Sequence, residues 1–324
     1  MKLIEVKDLS KTFRISKRET GLKGALHGLF KREYEYKHAL DHISFSIDEG
    51  ELIGYIGPNG AGKSTTIKIL TGILYPNGGR CIVNNRIPWE ERREHVKDIG
   101  VVFGQRTQLW WDLPVIESFN LLRDMYRLED GRYQRKRDDL VELFQIGELL
   151  NTPVRQLSLG QKMKCELTAS LLHDPKILFL DEPTIGLDAP SKLVIREHIR
   201  QINKEKKVTV ILTTHVLDDI EVLCNRILIL NNGKIIKDGS LNQIADHIKQ
   251  ERKILLELMD ENLKLNIPNV GIVQQEGAKM TLSYDASKVN ISDLLKQIVN
   301  EYPIKEIFIE SPKIEEVIAR IYKE

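Results

Sequence analysis

The sequence predicts an α/β protein with a mostly parallel central sheet, and three observations carry the prediction. Short apolar runs that read as buried strands, Leu52 to Ile56, Ile99 to Phe103 and Ile177 to Leu180, alternate with helical patterns. Several strand ends carry polar residues, as at Asp181-Glu182 and His215. A glycine-rich turn, Gly57-Pro58-Asn59-Gly60-Ala61-Gly62-Lys63-Ser64-Thr65, lies directly between one strand and the start of a helix. In such a sheet the site lies at the carboxyl ends of the strands.

That turn fits G-x-x-x-x-G-K-[ST], the phosphate-binding P-loop. Unpaired backbone N–H groups and the positive end of the helix dipole converge there, which makes a site for anions. Glycines at 57, 60 and 62 let the backbone curl close to phosphate. Lys63 is placed to reach the β- and γ-phosphates of a nucleotide, and the Ser64 hydroxyl to ligate Mg²⁺.

Composition narrows the remaining choices. The 324 residues suffice for one large domain and a smaller one, and 41% apolar with 29% charged residues is globular usage. A net charge of +1 supplies no global basic field, so no nucleic-acid partner is expected, with a local basic patch left open. Cys81, Cys165 and Cys224 are far apart and odd in number, with neither metal spacing nor a disulfide framework, which fits a reducing, cytoplasmic compartment. The opening residues alternate like a strand and lack the apolar core of a signal peptide. No apolar run approaches the roughly 18 residues of a membrane span, so work at a membrane is expected to go through a partner.

Taken in order, residues 2 to 7 read as an edge strand that Lys11 to Arg14 continues. A basic insertion follows, about 16–38, with Leu22, Leu26, Leu29 and Phe30 at helical spacing. It reads as a solvated insertion docked on its own domain, with a membrane-surface or partner-binding helix as the other reading. Ile43, Phe45 and Ile47 alternate as a strand before the P-loop strand, and Cys81 to Val83 is a short strand after the turn Tyr75 to Gly79. Trp89 to Asp98 reads as a charged helix. From Leu113 to Leu150 strand signals are absent and the spacing is helical, an insertion in the α/β domain. A helix is expected from the Gln156-to-Gln161 segment to His173, a strand over 177–180, a helix over 191–204 and a strand over 208–213. A short helix over 217–224 precedes a hairpin around Asn232-Gly233. A boundary is expected at Asp238-Gly239-Ser240, followed by a small α+β unit in which acids, bases and metal ligands do not cluster. Dimerisation, regulation and a purely structural role are all compatible with that unit.

Phosphoryl transfer needs a phosphate cradle, Mg²⁺, a positioned water and stabilisation of charge. Asp181 ends an apolar strand, where a carboxylate can hold Mg²⁺ through water, and Glu182 is placed to polarise the attacking water as general base.

With these residues in view, the sequence resembles the ATP-binding cassette ATPases, the nucleotide-binding subunits of ABC transporters. The P-loop is shared with kinases and GTPases; the discriminating piece is Leu157-Ser158-Leu159-Gly160-Gln161, similar to the family signature L-S-G-G-Q. Leu159 departs at a variable position. The chain order of P-loop, Gln105, signature, Asp181-Glu182, Asp188 and His215 agrees as well. The resemblance covers about residues 1–240 as the nucleotide-binding domain, with the helical subdomain at about 106–172; the accessory α+β domain over 241–324 lies beyond it. It implies a P-loop NTPase fold with a mostly parallel central sheet, an antiparallel β subdomain and a helical insertion.

The resemblance also implies roles. ATP and Mg²⁺ are the expected ligands. Tyr34 lies where the family stacks adenine on an aromatic ring, with Tyr36 the alternative. Gln105 matches the glutamine that joins Mg²⁺ and water to the helical insertion, Asp188 the loop that communicates across a dimer, and His215 the switch histidine at the γ-phosphate. Ser158, Gly160 and Gln161 are expected to complete the site of a second subunit, a homodimer or a pair with a close paralogue. The run from Phe103 to Trp111, with the insertion before Tyr34, is similar to ATPases paired with ABC-2 type permeases. This implies export through integral-membrane permease subunits, from a peripheral position at the inner face of the cell membrane. Trp110 and Trp111 read as part of a groove for that partner, or as core of the helical insertion. The rival classes are a soluble ABC ATPase acting on ribosome or DNA, and a nucleotide-gated scaffold that does not hydrolyse; Glu182 and His215 argue against the latter.

Overall fold

The computed structural model describes residues 2–16, 34–104, 106–246, 251–260, 267–286, 288–310 and 314–322. The chain divides into two compact units, Met1–Asp238 and Gly239–Glu324.

In the first unit, β1 (Lys2–Ser16) and β2 (Tyr34–Asp48) form a long antiparallel pair. The order of this three-stranded sheet is β2, β1, then β4 (Gly78–Val83), so β1 is its middle strand rather than the expected edge. The alternation that suggested one buried face was right; what local pattern cannot show is that β4, some 70 positions later, pairs with the free side. Gly78 and Gly79, expected in a turn, open β4. A Cβ on Gly79 would lie 2.3 Å from the Asp8 carbonyl, so two backbones pass there with no room for a side chain. The basic insertion falls mostly outside the described residues; its flanks, Ser16 and residues 34–38, are strand rather than helix.

The second sheet of this unit holds β3 (Leu52–Ile56), β5 (Ile99–Phe103), β6 (Ile177–Asp181), β7 (Thr209–Thr213), β8 (Arg226–Asn231) and β9 (Lys234–Ser240) in the order 5-6-7-3-8-9. Pairing from β5 to β8 is parallel throughout. All five residues of β3 and of β7 are buried, as expected of strands covered on both faces. Asn232 and Gly233 both take positive φ, the two-residue turn that joins β8 to β9. The core packs Ile53, Tyr55, Ile67, Ile69, Phe179, Ile211 and Leu228 together. Truncating a fully buried member such as Phe179 to Ala costs about 3–5 kcal/mol.

Helices α1 (Lys63–Leu70) and α2 (Arg92–Asp98) precede β5. Trp89 to Glu91, expected as the first turn of α2, lie outside it. The helical insertion is α3 (Val115–Tyr126), α4 (Asp130–Phe144) and α5 (Leu159–Leu171), all before β6. Helices α6 (Ala189–Lys206) and α7 (Leu217–Leu223) follow β6 and β7. No helix among the described residues is long and apolar enough to cross a membrane.

The second unit opens with α8 (Leu241–Asp246). Its sheet comprises β10 (Glu251–Leu258), β11 (Val270–Glu276), β12 (Lys279–Asp285) and β13 (Ile304–Glu310), antiparallel in the order 11-12-10-13. Helices α9 (Ile291–Glu301) and α10 (Ile314–Ile321) complete it, and Ile254, Leu256, Met280, Leu282, Leu294 and Ile298 form its core.

Candidate nucleotide site

The register of the central sheet builds the site. Tyr55 pairs with Thr213, Thr213 with Asp181 and Asp181 with Phe103, so four strand ends are level. Whatever follows β3, β5, β6 and β7 in sequence therefore emerges at one edge, although the residues are far apart along the chain.

From β3 emerges the turn Gly57 to Thr65. Gly60 and Gly62 take φ of 82° and 114°. A Cβ at Gly57 would sit 2.4 Å from the Leu230 carbonyl, and one at Gly62 would sit 2.4 Å from that of Ala39. The loop is thus pressed against β8 and β2, and only glycine fits at both points. Lys63 is buried and folds back so that Nζ donates to Gly57 O at 2.5 Å and Pro58 O at 3.2 Å. Burial lowers its pKa, while the carboxylates of Glu182 and Asp181 pull it back up.

From β6 emerge Asp181 and Glu182. The Thr213 hydroxyl donates to Asp181 Oδ1, and the Glu182 N–H donates to Thr213 O at 2.8 Å. Glu182 takes φ of 56°, unusual for a non-glycine residue, and turns the chain sharply at the strand end. Its Oε1 lies 3.0 Å from His215 Nδ1, and His215 follows the end of β7.

Two cavities flank the P-loop. One, of about 340 Å³, is lined by Ser64, Lys68, Phe103, Arg106, Asp181 and Glu182 among others. The other, of about 250 Å³, brings Asn59, Gly60, Gly62, Lys63, Ser64 and Thr65 together with Glu182, Phe13 and Lys37. A hydroxyl (Ser64) and a carboxylate (Asp181) facing one cavity make an oxygen-only donor pair suited to Mg²⁺, which draws its other ligands from phosphate and water. No cluster of three or more His, Cys, Asp or Glu suited to a metal occurs among the described residues.

Tyr34 does not line either cavity. It pairs with Ser16 at the far end of the hairpin, and the Arg14 guanidinium covers its ring at 3.3 Å. Tyr36 is 62% exposed and absent from both cavities as well. Phe13, half-buried on β1, shares a cavity with the P-loop residues, and Phe103 lines the other. The resemblance put the adenine ring at Tyr34, with Tyr36 the alternative, across an inserted segment that blurs the register; in the fold the antiparallel pairing of Phe13 with Lys37 carries β1 back beside the P-loop. Lys37, Lys68 and Arg106 also face the cavities and were not singled out from the sequence. Isolated basic residues carry no local signal.

Gln105 lies outside the described residues. The segment after it is anchored: the Thr107 hydroxyl donates to Glu166 Oε1, Gln108 N donates to Glu166 Oε2 at 3.3 Å, and Gln108 Nε2 to Glu166 O at 3.1 Å. Glu166 is buried on α5, and burial raises its pKa.

The signature segment opens α5. Ser158 is its N-cap: its hydroxyl accepts from Gln161 N at 3.2 Å while Gln161 Oε1 accepts from Ser158 N at 2.9 Å, a reciprocal capping box. Ser158 and Leu159 are exposed, and neither they nor Gly160 line the P-loop cavities. Gly160 instead abuts α6, where a Cβ would meet the Ser191 hydroxyl at 2.7 Å. Asp188 caps α6 by accepting from Ser191 N at 3.1 Å, and this interaction with Ser191 lowers its pKa. Trp110 and Trp111 are 38% and 54% exposed, so neither is fully withdrawn into the insertion core; Lys162 lies over the Trp111 ring at 5.3 Å.

Comparison with known proteins agrees with this geometry. Residues 40–185 match the family model "ABC transporter". The chain is 36% identical over 197 residues to the uncharacterized ABC transporter ATP-binding protein YhcH of Bacillus subtilis, covering 61% of this chain and 63% of YhcH. It is 32% identical over 232 residues to the linearmycin resistance ATP-binding protein LnrL of B. subtilis, covering 72% and 74%. It is 33% identical over 224 residues to the Nod factor export ATP-binding protein I of Ralstonia nicotianae, covering 69% and 68%. Among solved structures, the dimeric post-hydrolysis state of the ATP-binding cassette MJ0796 bound to ADP and Pi is similar at a TM-score of 0.60 and 27% identity, covering 74% of this chain and 98% of that one. With a P-loop, a level row of strand ends and two relatives, LnrL and the Nod factor export protein, matched over more than two thirds of their length, the chain belongs to the ABC transporter family, as an ATP-binding ATPase subunit.

Proposed function

We propose that this chain powers an ABC-2 type exporter, binding ATP with Mg²⁺ and acting as a dimer on separate integral-membrane permease subunits at the inner face of the cell membrane. One observation carries the hydrolytic part: Glu182 lies 3.0 Å from His215 and lines both cavities beside the P-loop. Glu182 acts as general base toward water, and His215 orients that carboxylate and faces the terminal phosphate. Lys63 and the loop N–H groups hold the phosphates. Ser64 and Asp181 would hold Mg²⁺, which when bound offsets charge on the phosphate oxygens. Gln105 is assigned to the same ion and water.

The dimer is supported by the exposed Ser158 and Leu159, which lie outside the P-loop cavities of their own chain. We read Ser158, Gly160 and Gln161 as completing the site of a second copy or a close paralogue, with Asp188 at the junction. The capped start of α5 offers N–H groups to phosphate. Loss of the γ-phosphate removes those bridges and lets the dimer open. Exposed Trp110 and Trp111, and a Nod factor export relative, favour a membrane permease and the export direction.

The test is affinity purification of the full chain from detergent-solubilised membranes. A hydrophobic multi-span protein should co-purify, and Trp111→Asp should release it. Recovery of ribosomes or DNA in its place overturns the reading.

A further inference from the structure

Asp219 is a fully buried carboxylate that none of the roles above uses. Two nitrogens of Arg196 reach its Oδ1, Nε at 2.6 Å and Nη2 at 2.5 Å. Its Oδ2 accepts from the hydroxyl of Thr184 and, at 3.4 Å, from that of Thr214. All four residues are buried. They come from four places: Thr184 from the loop between Glu182 and Asp188, Arg196 from α6, Thr214 from the residue before His215, and Asp219 from α7. The Thr214 hydroxyl also accepts from Val216 N at 2.9 Å, so the same group shapes the backbone on both sides of His215.

A buried ion pair is a costly way to join two helices. Well-packed apolar residues of similar volume do so as well or better, because no desolvation is incurred. This pair sits where the Glu182 loop and the His215 loop meet, and it holds a hydroxyl from each. The 3.0 Å approach of Glu182 to His215 depends on both loops, since each side chain leaves its strand end on a separate turn.

We infer that Asp219 is a positioning residue for ATP hydrolysis: it locks the loop bearing Glu182 and Asp188 to the loop bearing His215 in one geometry. The inference rests on the ATPase reading above for its kinetic consequence, and on geometry alone for the coupling. Removing a hydroxyl from one loop therefore loosens the other. Asp219 is fully buried and acts through Glu182 and His215.

The test uses Thr184→Val in the full chain, a near-isosteric change that withdraws one donor, with Thr184→Ser as the conservative rescue. Amide hydrogen exchange is followed separately over 183–187 and 214–218, together with kcat and KM for ATP. In Thr184→Val, exchange over 214–218 should rise about tenfold and kcat should fall about tenfold with KM within about twofold. Thr184→Ser should restore both. Faster exchange confined to 183–187, or an unchanged kcat in a turning-over enzyme, overturns the inference. Absence of ATP turnover in the wild type counts against the proposed function instead, and the exchange at 214–218 then decides on Asp219 by itself. Asp219→Asn serves as a second variant: an equal fall in kcat with a melting point close to the wild type supports positioning, whereas a lower melting point with unchanged kcat of the folded fraction overturns it.

Discussion

Glu182 Oε1 and His215 Nδ1 lie 3.0 Å apart, although 33 positions separate them in the chain. One is 22% exposed and the other 50%, so the pair sits at the mouth of the site rather than in the core. A carboxylate at this depth is reachable by solvent. Glu182→Gln removes the proposed base while keeping the shape. Steady ATP turnover should drop by about 10²- to 10⁴-fold, and dimers should accumulate with ATP by size exclusion. Full turnover in this variant would remove Glu182 from the mechanism.

Phe13 and Tyr34 are separated by the same geometry. Phe13→Ala should weaken ATP binding by roughly fivefold to tenfold, about 1 kcal/mol of lost ring contact, measured by titration calorimetry. Tyr34→Ala should change it little, because its ring is covered by Arg14. The reverse ranking would return the base to the far end of the hairpin.

The three loop glycines should not be equivalent. Gly57→Ala and Gly62→Ala place a Cβ 2.4 Å from a carbonyl oxygen, and each should lower stability by about 2 kcal/mol or more and abolish ATP binding. Gly60→Ala meets nothing within 4 Å and bears only the cost of its φ of +82°, about 1 kcal/mol. Thermal melting with and without ATP distinguishes the two cases.

His173 gives the fold an acid sensitivity. Its ring stacks on Tyr126 at 4.0 Å, its Nε2–H donates to Ile99 O at 2.9 Å, and its Nδ1 has no partner among the described residues. Burial pushes its pKa down to about 4. The folded value lies below the unfolded one, so this contribution is complete above the ordinary histidine range. It is lost as pH falls from about 6.5 toward 4, at about 1.4 kcal/mol per pH unit. Denaturant midpoints for wild type and His173→Gln should converge as pH falls through that window. Parallel curves would exclude His173 as the cause.

The phosphate loop, the Asp181-Glu182 pair, the signature and the order of elements were legible in the sequence because their chemistry is local. Each is a contiguous run whose residue types and spacing state what the backbone must do. The chain divides after Asp238, which lies inside β9 (Lys234–Ser240) rather than at a turn. Phe13 was not legible: one aromatic in a strand looks like any other until the register of β1 against β2 is known. Nor was the middle position of β1, because periodicity reports which face is buried and not which edges are paired.

The linear chain by itself settled what kind of molecule this is, since phosphate binding and strand-helix alternation are written in short-range patterns of glycine, charge and apolar residues. Only the folded arrangement decided which groups meet. Parallel in-register pairing levels the ends of β3, β6 and β7, and so brings Lys63, Asp181, Glu182 and His215 to one edge while burying Asp219 beneath them. Those meetings depend on hydrogen bonds between strands distant in the chain, and no local window of residues contains them.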